Sequence, residues 1–273
     1  MNSWSPPTGA LGDILRDTRD RVRALRTHAA ALRERAQRAP GSPPLTRALE
    51  VATVAVIAEL KRRSPSKGTI RNDLSASHRA AAYAEGGAAA ISVLTETISF
   101  GGTLDDLVAA RATVVLPILR KDFIVDPLQL YESRALGASA VLLIARALPP
   151  GSLEDLTREA ISIRLEPLIE VRTEPELERA VLAGAKVIGV NNRDLETLEI
   201  DPSTVDRILP SIPREIRAVA ESGVKTREDV ERAAAAGADA VLVGSILSAA
   251  DDPASAVREL TGVTKRDGRA RRG

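Results

Sequence analysis

The sequence predicts an α/β protein built as a single (β/α)8 barrel, the TIM-barrel architecture, with an N-terminal helical extension. Three observations lead there. Eight short apolar runs recur along the chain: VAVIAEL, AAAISVLT, TVVLPILRK, SAVLLIA, LEPLIEV, KVIGVNN, IRAVAES and DAVLVGS. They are near-continuously apolar rather than alternating, as parallel strands buried on both faces require. Helical stretches separate the runs. The glycines that close four of these helices, Gly87, Gly137, Gly184 and Gly237, are 50, 47 and 53 residues apart, about two βα units each. Finally, 273 residues suit one barrel of about 250 residues and leave no room for a second domain of that size. An open, doubly wound sheet is the alternative arrangement with the same alternation.

Taken in order, residues 11–39 read as one helix. Leu11, Ile14, Leu15, Val22, Leu25 and Leu32 keep one face, and arginines crowd the other. APGSPP at 39–44 breaks the pattern. The chain therefore divides into a helical extension (1–50), a barrel catalytic domain (51–262) and a basic tail (263–273) that is expected to be disordered. Within the barrel, Asp126-Pro127 and Asp201-Pro202 place a capping residue before a helix-compatible proline. Thr173 with Glu176, and Thr226 with Asp229, have capping-box spacing. Gly-Ala at 87, 137, 184 and 237 follows helices, where glycine supplies a left-handed C-cap.

Composition excludes several chemistries. There is no cysteine, and the two histidines, His28 and His78, lie in no metal-ligand pattern. SPSKG lacks P-loop spacing, and no G-x-G-x-x-G follows a strand. No metal and no organic cofactor are expected. The net charge of +1 gives no reason to expect a nucleic-acid or acidic-membrane partner. No signal peptide is visible at the start, and no apolar run approaches the ~20 residues of a membrane helix. A cytoplasmic, soluble monomer is the expectation.

In a barrel, functional side chains stand at the C-terminal ends of the strands. The apolar runs end on Glu59-Leu60-Lys61, Lys121-Asp122-Phe123, Glu170, Asn191-Asn192-Arg193-Asp194, Glu221-Ser222-Gly223 and Gly244-Ser245. Polar residues thus gather at one rim. Lysine usage sharpens the point: the chain has 32 arginines and six lysines, at 61, 67, 121, 186, 225 and 265. Two of those six end barrel strands. Lysine, unlike arginine, can release a proton within reach of neutral pH. The competing reading makes Lys61 and Lys121 structural partners of Glu59 and Glu170. The two phenylalanines, Phe100 and Phe123, both fall just after strands, which suits a flat apolar ligand. Gly-Ser pairs after the seventh and eighth runs stand where barrels often bind phosphate. No histidine stands at a strand end to activate a serine. The set fits cofactor-free acid–base chemistry on a phosphorylated small molecule.

VIAELKRRSPSKG, ISVLTE…FGG, PILRKDFIVDPLQLYESRALGASAVLLIA, EPLIEV, GVNNRDLETLEID, VAESGV and VLVGSIL, in that order from about residue 50 to 260, resemble the successive motifs of the indole-3-glycerol-phosphate synthase family. The helical prefix is similar to that family's N-terminal extension. The resemblance implies a carboxy-lyase of tryptophan biosynthesis that acts without a cofactor. It converts 1-(2-carboxyphenylamino)-1-deoxyribulose 5-phosphate to indole-3-glycerol phosphate, CO2 and water. It implies that Lys121 protonates the carbonyl oxygen for ring closure, and that Lys61, Glu59 and Glu170 share the acid and base of dehydration. Asn191 would bind sugar hydroxyls; Arg193 and Ser64 would meet the aromatic carboxylate. Phe100, Phe123 and Leu142 would wall the ring, and Ser222, Gly223, Gly244 and Ser245 would hold the phosphate. Glu221 would fix lysine geometry.

One stretch departs from the resemblance. The family usually reads T-[DE]-E-K-F-F-x-G after strand 2, whereas this chain has Thr95-Glu96-Thr97-Ile98-Ser99-Phe100-Gly101-Gly102. That departure opens the alternative of a paralogue serving a specialised indole pathway. Another phosphosugar barrel, such as phosphoribosylanthranilate isomerase, would lack the strand-1 motif and the prefix. A scaffold without turnover would have no need of all five polar strand ends.

Overall fold

The computed structural model describes residues 4–266. Eight parallel strands close into a barrel: β1 (Ala55–Leu60), β2 (Ala90–Leu94), β3 (Ile118–Lys121), β4 (Ala140–Ile144), β5 (Glu166–Val171), β6 (Val187–Asn191), β7 (Arg217–Glu221) and β8 (Ala240–Val243). Closure is direct, because β1 pairs with β2 on one side and with β8 on the other. The open-sheet alternative is thereby excluded. In front of the barrel lie α1 (Gly9–Leu25), α2 (Ala29–Arg38) and α3 (Leu45–Ala48). The strands alternate with α4 (Ala76–Glu85), α5 (Leu104–Thr113), α6 (Pro127–Ala135), α7 (Ser152–Ser162), α8 (Glu174–Leu182), α9 (Ser203–Ile208) and α10 (Arg227–Ala235). A short α11 (Ser245–Ala249) and α12 (Pro253–Leu260) follow β8.

The expected punctuation is present. Gly87, Gly137, Gly184 and Gly237 all have positive φ, between 82° and 95°, a region open to glycine at little cost. Thr226 and Asp229 form a complete capping box. Thr173 caps α8 through the Glu176 N–H, but the Glu176 carboxylate turns instead to the Arg172 N–H.

The two-residue period of a strand explains where the polar rim comes from. Ile57, Leu119, Leu142, Leu168, Val219 and Leu242 fill the barrel interior. Two residues further along the same inward-facing rows stand Glu59, Lys121, Ile144, Glu170, Glu221 and Gly244. Apolar interior and polar rim are consecutive layers of one side-chain pattern. The outward rows, such as Val56, Val93, Leu143, Ile169 and Val241, pack under the helices in a second cluster.

The prefix differs from expectation in two ways. It is not one helix: a 3-10 turn at Arg26–His28 separates α1 from α2, and none of its three residues is buried. The chain turns there, leaving α1 over the barrel and bringing α2 against α6. No glycine or proline marks the turn, so periodicity alone ran through it. Nor is the prefix merely attached. Leu11, Ile14 and Leu15 of α1, and Leu45 with Leu49 at α3, belong to the same buried cluster as the barrel interior. At the tail, Val263 is buried, Thr264 bridges to Thr53, and Lys265 reaches Leu49 O and Asp239. The expectation of disorder from 263 is therefore corrected for residues 263–266; residues 267–273 lie outside the described residues.

Candidate active site

A cavity of about 190 Å³ opens at the C-terminal ends of the strands. All fifteen residues singled out above line it: Glu59, Lys61 and Ser64 from β1 and its loop, and Phe100 after β2. Lys121 and Phe123 come from β3, Leu142 from β4, Glu170 from β5, and Asn191 and Arg193 from β6. Glu221, Ser222 and Gly223 follow from β7, with Gly244 and Ser245 after β8.

Lys121 is central. Its Nζ is 3.1 Å from Glu170 Oε2 and 3.1 Å from Glu221 Oε2. Beside it, Lys61 Nζ is 2.8 Å from Glu59 Oε1. The Lys–Glu pairs of the structural reading therefore exist, but they stand on the wall of an open cavity. Burial alone would pull the Lys121 ammonium down; the carboxylates of Glu170, Glu221 and Glu59 overcome it and hold the pKa above the ordinary lysine value. The Glu221 pKa is also raised, but here burial is the main cause. Burial, reinforced by Glu170 and Glu59 against the pull of Lys121, pushes it up to about 8. Glu59 Oε2 and Glu221 Oε1 are buried without a hydrogen-bond partner, so each carboxylate keeps acceptor capacity in reserve.

Two glycines make space for these acids. A Cβ on Gly244 would stand 2.3 Å from Glu59 Oε1, and one on Gly189 would stand 2.0 Å from Glu221 Oε1. Gly244 is not in a left-handed conformation (φ −118°), so no positive φ calls for glycine there; what its bare Cα provides is clearance for Glu59. Ser222 and Gly223 are both left-handed, with φ of 61° and 91°. The strained Ser222 is held by Asn192, whose Nδ2 donates to Ser222 O at 2.9 Å. Asn191 Oδ1 accepts from the Arg193 N–H at 2.9 Å. Phe100 and Phe123 face each other at 6.2 Å between ring centroids, and Lys61 Nζ lies 5.9 Å from the Phe100 ring.

Sequence reasoning missed several contributors. Ile14 of α1 lines the cavity. Ser248 Oγ donates to Glu59 O and accepts from the Lys61 N–H, both at 3.0 Å, fixing the end of β1. Asp122 is buried and accepts four bonds: from Arg21, Arg120, Thr95 and the Phe123 N–H. Burial opposes its charge, but Arg120 and Arg21 hold its pKa down at about 2. Only Gly189 had left a readable signal, a glycine inside a Val/Ile strand.

In the loop after β2, the buried Glu96 carboxylate accepts the N–H groups of Ile98, Ser99 and Phe100. Thr97 and Ile98 are exposed, and neither they nor Ser99 lines the cavity. The three departing positions thus stand outside the cavity, while the retained Phe100 lines it.

Fold and site together define a (β/α)8 barrel with a cluster of paired lysines and carboxylates at the C-terminal ends of its strands. A model of the indole-3-glycerol phosphate synthase family matches residues 11–260. An enzyme of that name from Mycolicibacterium vanbaalenii is 50% identical over 229 residues, 84% of each chain. Indole-3-glycerol phosphate synthase 1 of Streptomyces coelicolor is 53% identical over 84% of this chain and 85% of its own. Among solved structures, the Pyrococcus furiosus thiamine phosphate pyrophosphorylase superposes with a TM-score of 0.57 at 18% identity, covering 77% of this chain and 94% of that one, a likeness of fold alone. The chain belongs to the indole-3-glycerol phosphate synthase family, whose members are decarboxylating lyases.

Proposed function

We propose that the residues around Lys121 carry out the family's ring closure as follows. The carbanion-like ring carbon that bears the carboxylate, enriched by the aniline nitrogen, attacks the ribulose C2 carbonyl carbon. Lys121 donates its proton to the carbonyl oxygen, which becomes a hydroxyl. The bond to the carboxylate then breaks, CO2 leaves, and the electron pair restores the aromatic ring. Lys61 protonates the hydroxyl, which departs as water. Glu170 takes a proton from C1, and the pair left behind forms the indole double bond. The 3.1 Å contact between Glu170 and Lys121 lets that proton return to Lys121, and Lys61 is recharged from solvent. One proton is thus consumed per substrate carboxylate lost.

Glu59 orients Lys61, and Glu221 orients Lys121. Asn191 binds sugar hydroxyls, Arg193 and Ser64 meet the aromatic carboxylate, and Phe100, Phe123 and Leu142 wall the ring. The backbone of Ser222, Gly223, Gly244 and Ser245 receives the phosphate. We read the chain further as a cytoplasmic monomer needing no cofactor. The large apolar side chains that are exposed, among them Ile98, Val115, Ile161 and Leu182, fall on different elements. Among the described residues no helix is long and apolar enough to cross a membrane.

The observation that carries this reading is one ammonium, Lys121, held between two carboxylates in a cavity that Phe100 and Phe123 also line. The test is conversion of the carboxyphenylamino sugar phosphate, followed by indole absorbance and CO2 release. Lys121→Arg keeps the charge but cannot give up a proton at working pH. Its single-turnover rate is expected to fall about 10²–10⁴-fold, as does that of Lys121→Met. An arginine variant within about tenfold of wild type would take the acid role from Lys121 and leave Lys61 as the candidate.

A further inference from the structure

We infer that Lys67 and Lys225 are cationic arms that clasp the substrate's phosphate from the two sides of the β8 loop. The starting point is the charge inventory of the cavity. Its wall carries five cations: Lys61, Lys67, Lys121, Arg193 and Lys225. Lys61 is paired with Glu59, and Lys121 with Glu170 and Glu221. The remaining wall carboxylate, Asp122, is taken by Arg21 and Arg120. Among the described residues, Lys67, Lys225 and Arg193 have no carboxylate partner. The ammonium groups of Lys67 and Lys225 also have no hydrogen-bond acceptor; Arg193 reaches only a carbonyl, Leu198 O. Three cations of the wall therefore lack a carboxylate, and because Lys121 shares two, the wall's net charge is about +2 with Glu221 ionised and about +3 with it neutral. A sugar phosphate bearing one further carboxylate brings about three negative charges, because a phosphate monoester carries −1.5 to −2 at pH 7.

Topology assigns the two lysines to the phosphate. In the closed ring β8 lies between β7 and β1. Gly244 and Ser245 follow β8. Lys225 stands two residues beyond Gly223 in the β7 loop, and Lys67 stands in the β1 loop on the other side. Arg193, in the β6 loop, is the free cation left for the carboxylate. Residue choice agrees: this chain uses lysine only six times against 32 arginines, yet four of its lysines line this one cavity. Lys67 is fixed in place by its backbone, not its side chain. It precedes Gly68, at φ 67°, in a two-stranded turn of Arg63–Ser64 with Gly68–Thr69. Arg62 ties the root of that turn to Asp106 and Leu74 O. Lys225 is likewise held through its N–H to Asp229. Both ammonium groups are exposed at the mouth, where an entering dianion meets them first.

This inference rests on the proposed reaction, and the experiment separates the two. Wild-type turnover of the sugar phosphate tests the reaction. Lys67→Met and Lys225→Met test the arms, each compared by KM, kcat and inhibition constants for two probes, inorganic phosphate and 2-aminobenzoate. Each variant is expected to raise KM and the phosphate inhibition constant about 5–20-fold, with kcat changed less than about threefold. The 2-aminobenzoate constant should stay within about twofold. The double variant should also flatten the decline of kcat/KM with ionic strength. Unchanged phosphate inhibition in both variants overturns the proposal. So does a loss confined to 2-aminobenzoate, which would place these lysines at the carboxylate instead.

Discussion

Glu221 has one carboxylate oxygen on Lys121 and the other buried without a partner beside the bare Cα of Gly189. Burial, with Glu170 and Glu59 adding to it, pushes its pKa up to about 8 against the pull of Lys121. Below that pH Glu221 is largely neutral. Above it, Glu221 becomes an anion beside an ammonium whose own pKa is already raised. The anion makes Lys121 hold its proton to higher pH. Glu221→Gln removes that anion while keeping shape and hydrogen bonding. The alkaline limb of the kcat profile is expected to move down by about one pH unit, with KM little changed. A profile from pH 7 to about 12, reaching past the ordinary lysine pKa of about 10.4, checks this. An alkaline limb that stays in place would mean Glu221 only fills space, or that the limb reports another group. At this scale the lining of the cavity was largely readable from sequence, because Glu59, Lys61, Lys121, Glu170 and Glu221 all stand at or next to a strand end. The room for the acids was not readable, since Gly189 and Gly244 act through close approaches between strands and loops.

Asp122 shows what joins the elements. Its four acceptor bonds tie together α1 through Arg21, the end of β2 through Thr95, and β3 through Arg120 and Phe123. Arg120 in turn reaches Ser133, Gln129 O and Glu132 of α6. The cluster stands immediately beside Lys121, so it sets the rigidity of the residues that line the cavity. Asp122→Asn leaves the buried Arg120 guanidinium and the half-buried Arg21 short of a charge, which typically costs about 3 kcal/mol. The pH dependence has a definite sign. The folded pKa, about 2, lies below the ordinary carboxylate value of about 3.9. The stabilisation is therefore complete above pH ~4 and is lost as pH falls toward 2. Urea unfolding should show the full gap between wild type and Asp122→Asn at pH 7, narrowed by about 1 kcal/mol at pH 3. A gap equal at both values would show that the variant acts through packing instead of charge. None of this was legible in the sequence. Arg21 and Asp122 are 101 residues apart, and no periodicity links a helix's polar face to a strand end. The loop after β2 is a milder case. Its departure from the family pattern was visible, but not that Glu96 ties down the backbone there.

For the whole molecule, the eight-strand ring was readable because each strand and helix carries its own local signal. The docking of the prefix was not, because that depends on where the chain turns at Arg26–His28. The prefix touches both ends of the barrel. At the cavity end, Leu11, Ile14 and Leu15 cover the interior, and Thr8 and Ala10 bond to Glu196 in the β6 loop. At the opposite end, where the strands begin, Thr46 bonds to Glu166 at the start of β5. Leu45 and Leu49 are fully buried there, and Lys265 reaches Leu49 O. These two contacts predict different results for two truncations. Removing residues 1–40 takes away α1 and α2 but leaves α3 and the closed strand ladder. The protein should fold with reduced stability, since each lost apolar side chain forfeits about 1.5–3 kcal/mol of burial. Its KM should rise, because Ile14 and the Arg21 bond to Asp122 leave the cavity wall. Removing residues 1–50 also takes the floor of the barrel, uncovering the layer of Ala55, Ala90, Ala140, Val187 and Ala240 to water. That chain should not yield folded protein. Circular dichroism and urea unfolding of the two truncations decide the matter. If the shorter deletion already fails to fold, α1 is part of the core's closure. If the longer one folds as well as the shorter, α3 is dispensable and the ring alone holds the barrel.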